Sequence, residues 1–257
     1  MDIEAYRRDG FTVVEGVFAA DKCEAFVAYM MDLQAGRRVL EGFAARAADE
    51  WGRTHNQHWY DPVAHQWLTD PELKEPLRQC LRDTPEGIQT MYFWVGSEQG
   101  RHQDQFYLPG CMSAWIALQD VDVQNGAMLV QPGSHRGRLL VSADLAEGGE
   151  FAGWDYNEAV DALFERNAVE EVAVEVRQGD VVFFDGVLVH RGGPILAPGS
   201  FRHALANHYI AYGLQEWPHV RWPRVGFDGG GSGTILCPRL VESVRLVYKS
   251  YRLWRML

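Results

Sequence analysis

The sequence predicts a mainly β protein with flanking α-helices, its core a double-stranded β-helix, or jelly roll. Three observations predict it. From about residue 89 to 213, short β-branched and aromatic runs alternate with turn residues. Ahead of them, apolar residues recur at helical spacing behind a candidate capping residue. The chain has 257 residues, 47% apolar and 12% aromatic, enough to fill one hydrophobic core, and it is read as a single domain over 1–257.

Taken in order, the helical part spans about 1–88. Asp21 is placed to cap a helix running to about Gly36, with Cys23, Phe26, Val27, Met30 and Met31 on its apolar side. Residues 37–82 read as helix or loop, broken at Pro62, Pro71 and Pro76. In the jelly-roll part, Met91 to Val95 and Ser113 to Leu118 are strand candidates. An insertion from about Leu140 to Ala168 follows, with Trp154, Tyr156 and Phe164 among acidic residues. Gly179-Asp180 makes a turn into the buried strand Val181 to Phe184, Val187-Leu188-Val189 leads to His190, and Phe201 to Ile210 ends as strand.

The segment from about 214 to 257 reads as a loop and a helix. Its Gly229 to Gly233 run lacks the Lys-Ser/Thr ending of a phosphate loop and suits a lid or a plain flexible loop. In its last part, Arg239, Arg245, Lys249, Arg252 and Arg255 interleave with Leu240, Val244, Val247, Tyr251 and Trp254. That stripe predicts a helix packed on the domain or on a second subunit, which leaves a homo-oligomer open.

Charge narrows the partners. A net charge of −11 argues against nucleic acid and membrane surfaces, both polyanionic, and favours a small-molecule substrate. No apolar run approaches the ~20 residues needed to span a bilayer. The opening Met1-Asp2-Ile3-Glu4 lacks signal-peptide character, so the expected location is cytoplasmic. Cys23, Cys80, Cys111 and Cys237 are scattered, as befits reduced thiols.

The chemistry concentrates at His102-Gln103-Asp104. Of nine histidines, only His102 has an acid two positions on. In an extended segment, side chains two apart face one side, so His102 and Asp104 can reach one ion while Gln103 turns away. His190 follows an apolar run that would hold it rigidly. Two imidazoles and a carboxylate can cover one face of a ferrous ion and leave the other open, and Arg202 can grip a dicarboxylate through its fork. This is the inventory of an iron(II) oxygenase that uses 2-oxoglutarate.

The chain resembles the phytanoyl-CoA dioxygenase-like family of iron(II)/2-oxoglutarate oxygenases at several ordered segments. They are Tyr6 to Phe18, His102-Gln103-Asp104, Ala114 to Leu118, Gly126 to Val130 with Pro132 to His135, Gly179-Asp180 leading to His190, then Arg202 and His208-Tyr209. The resemblance implies that His102, Asp104 and His190 bind Fe(II) and carry catalysis, and that Arg202 binds the distal carboxylate of 2-oxoglutarate. With O2 as cosubstrate, it implies hydroxylation of an unactivated carbon of a small or medium-sized metabolite, with release of succinate and CO2. A carboxylate at Asp104 favours hydroxylation over halogenation; desaturation, epimerisation and cyclisation stay open. So does a cupin-like isomerase or hydrolase without 2-oxoglutarate, or a binding protein that kept only the barrel.

Around the motif, Ser113 and Gln99 are candidates for contact with the cosubstrate. Gln105, Tyr107, Trp94 and Trp115 are candidates for contact with the substrate, each weighed against a core or backbone-satisfying role. His55 and His58 lack the further ligands of a second metal site and could border the pocket mouth. His135 would fix its turn, and His203 and His208 would serve as core or as hydrogen-bonding support for the site.

Overall fold

A computed structural model describes residues 1–45, 52–215 and 217–228. The Gly229 to Gly233 run, the basic C-terminal stripe and Cys237 lie outside the described residues, so the expectations about them are not addressed. Cys23, Cys80 and Cys111 are free thiols.

Among the described residues, the N-terminal region supplies four α-helices. Helix α1 (Ile3–Asp9) is capped by Asp2 and ends at Gly10, whose φ of 85° closes the helix in the left-handed region. Helix α2 (Ala20–Gln34) covers the span expected from its apolar spacing, but its N-cap is Ala19 rather than Asp21. Asp21 lies inside the first turn and accepts from the adjacent Lys22 amide, so it gives the helix favourable charge and no cap. Helices α3 (Pro62–Leu68) and α4 (Pro71–Leu81) each begin on a proline behind a capping aspartate, Asp61 and Asp70. Those two prolines start helices, since a missing N–H costs nothing in the first turn. Pro76 sits inside α4 without breaking it. Leu73 and Leu77, one turn apart and fully buried, anchor that face strongly enough to outweigh one lost hydrogen bond.

Among the described residues, nine strands form two antiparallel sheets. Strands β1 (Phe11–Val14), β2 (Pro85–Phe93), β3 (Met112–Ala117), β6 (Val181–Asp185), β8 (Ala204–Ala211) and β9 (Val225–Gly226) make a six-stranded sheet in the order β1-β6-β3-β8-β2-β9. Strands β4 (Met128–Val130), β5 (Val172–Val174) and β7 (His190–Gly192) make the second, ordered β5-β4-β7. Early and late strands interleave across the large sheet, which gives the jelly-roll core its topology. The turn before β6 requires Gly179: its φ is +91°, and a Cβ there would lie 2.0 Å from the Phe18 carbonyl oxygen.

The strand period of two divides the large sheet into two faces. Tyr92, Met112, Ala114, Ile116, Phe183 and Leu205 face outward and pack under Phe26, Met30, Trp67 and Leu77 of the helices. Phe93, Trp115, Val182 and Ala206 face inward and meet Met128, Val130 and Val174 of the small sheet. The insertion is helical, comprising α5 (Ser142–Leu145) and α6 (Tyr156–Asn167), with a small core of its own around Leu140, Phe151, Tyr156 and Val160.

Candidate metal centre

His102 and His190 arrive as a backbone-paired couple. The His102 amide donates to the His190 carbonyl at 2.9 Å, and the His190 amide returns a bond to the His102 carbonyl at 3.1 Å. Their rings lie 4.1 Å apart, centroid to centroid. Each ring is oriented by its own strand: His102 Nδ1 donates to the Gly100 carbonyl at 2.8 Å, and His190 Nδ1 to the Leu188 carbonyl at 3.0 Å. Both Nε2 atoms are thereby left as lone-pair donors, the form a metal needs. Asp104 opens a 3-10 turn directly after the extended Gln103, so it points to the same side as His102. Asp104 Oδ1 lies 3.7 Å from each Nε2, and the three donor atoms fall within 4.8 Å of one another.

The electrostatics suit a cation. Burial first, and the His190 imidazole second, push the His102 imidazole down to about 3, so it is neutral at pH 7. Burial alone would raise Asp104, but His190, His208 and His102 together outweigh it and hold the carboxyl well below the usual range. An ionised carboxylate and a neutral His102 imidazole are forms a metal can bind without displacing a proton from them.

The triad opens into a cleft of about 450 Å³, counting its mouth, between the two sheets. Arg202 lines it and is 3% exposed. Its Nη1 donates to the Gly126 carbonyl at 2.6 Å, and its guanidinium sits over Phe93 and Trp115 at 5.5 and 5.7 Å. No carboxylate pairs with it among the described residues, and its buried Nε has no hydrogen-bond partner. Burial lowers its pKa to about 10, leaving it a cation at pH 7. A buried, charged, unpaired fork is costly unless an anion completes it.

Of the other residues nominated from sequence, Gln99 and Trp115 line the cleft. Gln99 accepts from Arg53 Nη1 at 2.6 Å. Ser113, expected at a cosubstrate, instead donates its hydroxyl to Asp104 Oδ2 at 2.8 Å. Trp94 belongs to the outward-facing core beside Tyr92 and Phe43. Gln105 turns its amide onto the Cys111 carbonyl at 2.9 Å, and Tyr107 packs on Phe106 and Tyr156; neither lines the cleft. Trp94 likewise does not line the cleft. Strand phase explains Trp94, and a 3-10 turn after Asp104 redirects the other two. Lining residues that sequence reasoning did not single out include Arg53, Met91, Phe93 and Met128. Met91 and Phe93 alternate with the outward Tyr92, so the period of two was their available signal.

The family model for phytanoyl-CoA dioxygenase (PhyH) matches residues 6–204, a stretch that contains His102, Asp104, His190 and Arg202. The chain belongs to the phytanoyl-CoA dioxygenase family. Phytanoyl-CoA dioxygenase 1 of Oryza sativa subsp. japonica is 29% identical over 181 residues, covering 65% of this chain and 60% of that protein. Phytanoyl-CoA dioxygenase domain-containing protein 1 of Rattus norvegicus is 24% identical over 282 residues, covering 86% and 92%. Among solved structures, the 2-oxoglutarate-dependent carbocyclase SnoK from nogalamycin biosynthesis superposes with a TM-score of 0.63 at 22% identity, over 81% of this chain and 82% of that one. EctD from S. alaskensis, with 2-oxoglutarate and 5-hydroxyectoine, gives 0.64 at 23% identity, over 81% and 74%. These two share the family's jelly-roll fold with this chain.

Proposed function

We propose that this family member is an Fe(II)- and 2-oxoglutarate-dependent dioxygenase that hydroxylates an unactivated carbon of a small or medium-sized metabolite. One observation carries the reading: a buried arginine without a counterion shares a cleft with a His/Asp/His donor set. A dicarboxylate cosubstrate supplies the anion that this cation lacks.

The residues fit both groups. His102 Nε2, His190 Nε2 and Asp104 Oδ1 would hold the ion, and Arg202 would take the distal carboxylate of 2-oxoglutarate. Iron(II) with 2-oxoglutarate and O2 supplies, when bound, the power to oxidise a substrate C–H bond, with succinate and CO2 released. The chain's share is placement and shelter. The backbone pairing of His102 with His190 fixes two donors relative to each other, and Phe93, Trp115 and Met128 wall the inner cleft with apolar surface that keeps water from Arg202.

The test is an anaerobic titration of metal-free protein with Fe(II) and then 2-oxoglutarate, following the visible charge-transfer band of the chelate. The wild type is expected to give the band, and Arg202→Ala to need far more 2-oxoglutarate to reach it. Tight metal binding with no band at any 2-oxoglutarate concentration would refute the cosubstrate assignment.

A further inference from the structure

The two oxygens of Asp104 have different surroundings. Oδ1 faces the imidazoles of His102 and His190, 3.7 Å from each Nε2. Oδ2 receives two hydrogen bonds from the other side, from Ser113 Oγ at 2.8 Å and from His208 Nε2 at 3.2 Å. Ser113 on β3 and His208 on β8 are direct cross-strand partners in the large sheet. Directly opposed residues present their side chains to the same face, so one register delivers both donors to one oxygen. Both are buried, 0% and 2% exposed, so water does not compete for either bond.

A carboxylate oxygen accepts, so His208 donates through Nε2 and its other ring nitrogen, Nδ1, faces away from Asp104. That Nδ1 is buried with no hydrogen-bond partner. The ring is therefore held by its single bond to Asp104 and by packing, which makes the bond to Oδ2 its only polar purpose among the described residues.

We propose that Ser113 and His208 are positioning residues that make Asp104 a one-oxygen metal ligand. The inference rests on the proposed function. A carboxylate free to rotate can offer both oxygens to an ion, and the second oxygen would take a position that a chelating cosubstrate needs. With Oδ2 engaged by two donors, Oδ1 alone is directed at the ion, and the three-ligand face keeps its opposite side open. Neither residue touches the ion or the cosubstrate in this arrangement; both act through Asp104.

The experiment compares Ser113→Ala and His208→Phe, which remove a donor, with Ser113→Thr and His208→Gln, which keep one. Fe(II) affinity is read anaerobically by chelator competition, 2-oxoglutarate affinity by titration of the charge-transfer band, and folding by circular dichroism. Each donor-free variant is expected to fold, to bind Fe(II) about 10–100-fold more weakly and to shift the band, because the number of carboxylate oxygens on the ion changes. The donor-retaining variants are expected to return to within a few-fold of wild type. Wild-type affinity and an unshifted band in both donor-free variants would overturn the positioning role while leaving the proposed function intact. Equal impairment of Ser113→Thr and Ser113→Ala would also overturn it, since packing and not the hydroxyl would then be responsible. A wild type that binds Fe(II) without giving the band would overturn both readings together.

Discussion

Arg202, in its proposed role, is a residue placed for binding at the expense of stability. Its guanidinium is buried and bonds to the Gly126 carbonyl, no carboxylate pairs with it among the described residues, and burial has lowered its pKa to about 10. Replacing a poorly compensated buried charge by an apolar side chain of similar length commonly stabilises by about 1–4 kcal/mol. Arg202→Met is accordingly expected to melt at a higher temperature than wild type when both lack ligand. With both proteins loaded with Fe(II), adding 2-oxoglutarate should raise the wild-type melting temperature further and that of Arg202→Met far less, because a ligand stabilises the native state only as far as it binds it. A drop in the unliganded melting temperature of Arg202→Met would show that the aromatic rings and Gly126 compensate the charge after all. Asp104→Ala makes the complementary case, leaving two imidazoles without the anion that favours a divalent ion; iron-dependent 2-oxoglutarate turnover is expected to vanish.

At the scale of elements, the insertion that interrupts the jelly roll braces the segments that carry the candidate metal ligands. The Tyr156 hydroxyl on α6 accepts from the Gln103 amide at 2.8 Å and reaches the Gln103 carbonyl at 3.2 Å. Asn157, on the same helix, donates to the Arg101 carbonyl at 2.8 Å. Just beyond the helix, Glu171 accepts from Arg101 at 3.1 Å and from Arg191 at 3.0 Å, the neighbours of His102 and His190. Gln103, fully buried between the two ligands it separates, adds bonds to the Arg138 and Val187 carbonyls at 3.0 and 2.8 Å. Tyr156→Phe would leave the buried Gln103 amide unsatisfied, which costs about 1–3 kcal/mol. The variant should therefore unfold at lower urea with unchanged slope and bind Fe(II) more weakly, although it lies outside the cleft. Normal urea stability would mean that water replaces the hydroxyl and that the brace is dispensable.

The molecule as a whole should be sensitive to mild acid for a reason separate from catalysis. Burial pushes the His58 imidazole down to about 3 and the His203 imidazole down to about 4. His58 is held by Thr90 at 3.0 Å, and His203 by the Tyr92 hydroxyl at 2.8 Å. Unfolded, each returns to about 6.5, so below that pH the unfolded chain binds more protons than the folded one. Stability is then fully present above about pH 6.5 and declines as pH falls toward 4, by up to about 1.4 kcal/mol per pH unit for each imidazole. Urea midpoints of metal-free protein at pH 5 and pH 7.5 check this, and His58→Asn should flatten the difference. An unchanged pH slope in that variant would mean that other groups set the acid limit.

Much of this protein was legible in its residues because the signals were local. The strands Met112–Ala117 and Val181–Asp185, helix α2 and the His102-Gln103-Asp104 triplet each follow from spacing or propensity within one short segment. Helix α4 persists through Pro76, since tertiary anchoring by buried Leu73 and Leu77 outweighs a local rule, and α2 starts behind Ala19 without the side-chain cap that Asp21 offered. What the sequence by itself determined was the stock of parts: the donor set, the lone arginine twelve residues past His190, and enough strand for a jelly roll. Only the tertiary structure decided which neighbours those parts have. Sheet register set Ser113 opposite His208, strand phase sent Trp115 inward and Trp94 outward, and the packing of a distant helix put Tyr156 on Gln103. Such choices depend on pairing between segments far apart in the chain, and a shift of one residue would reverse every one that rests on strand phase.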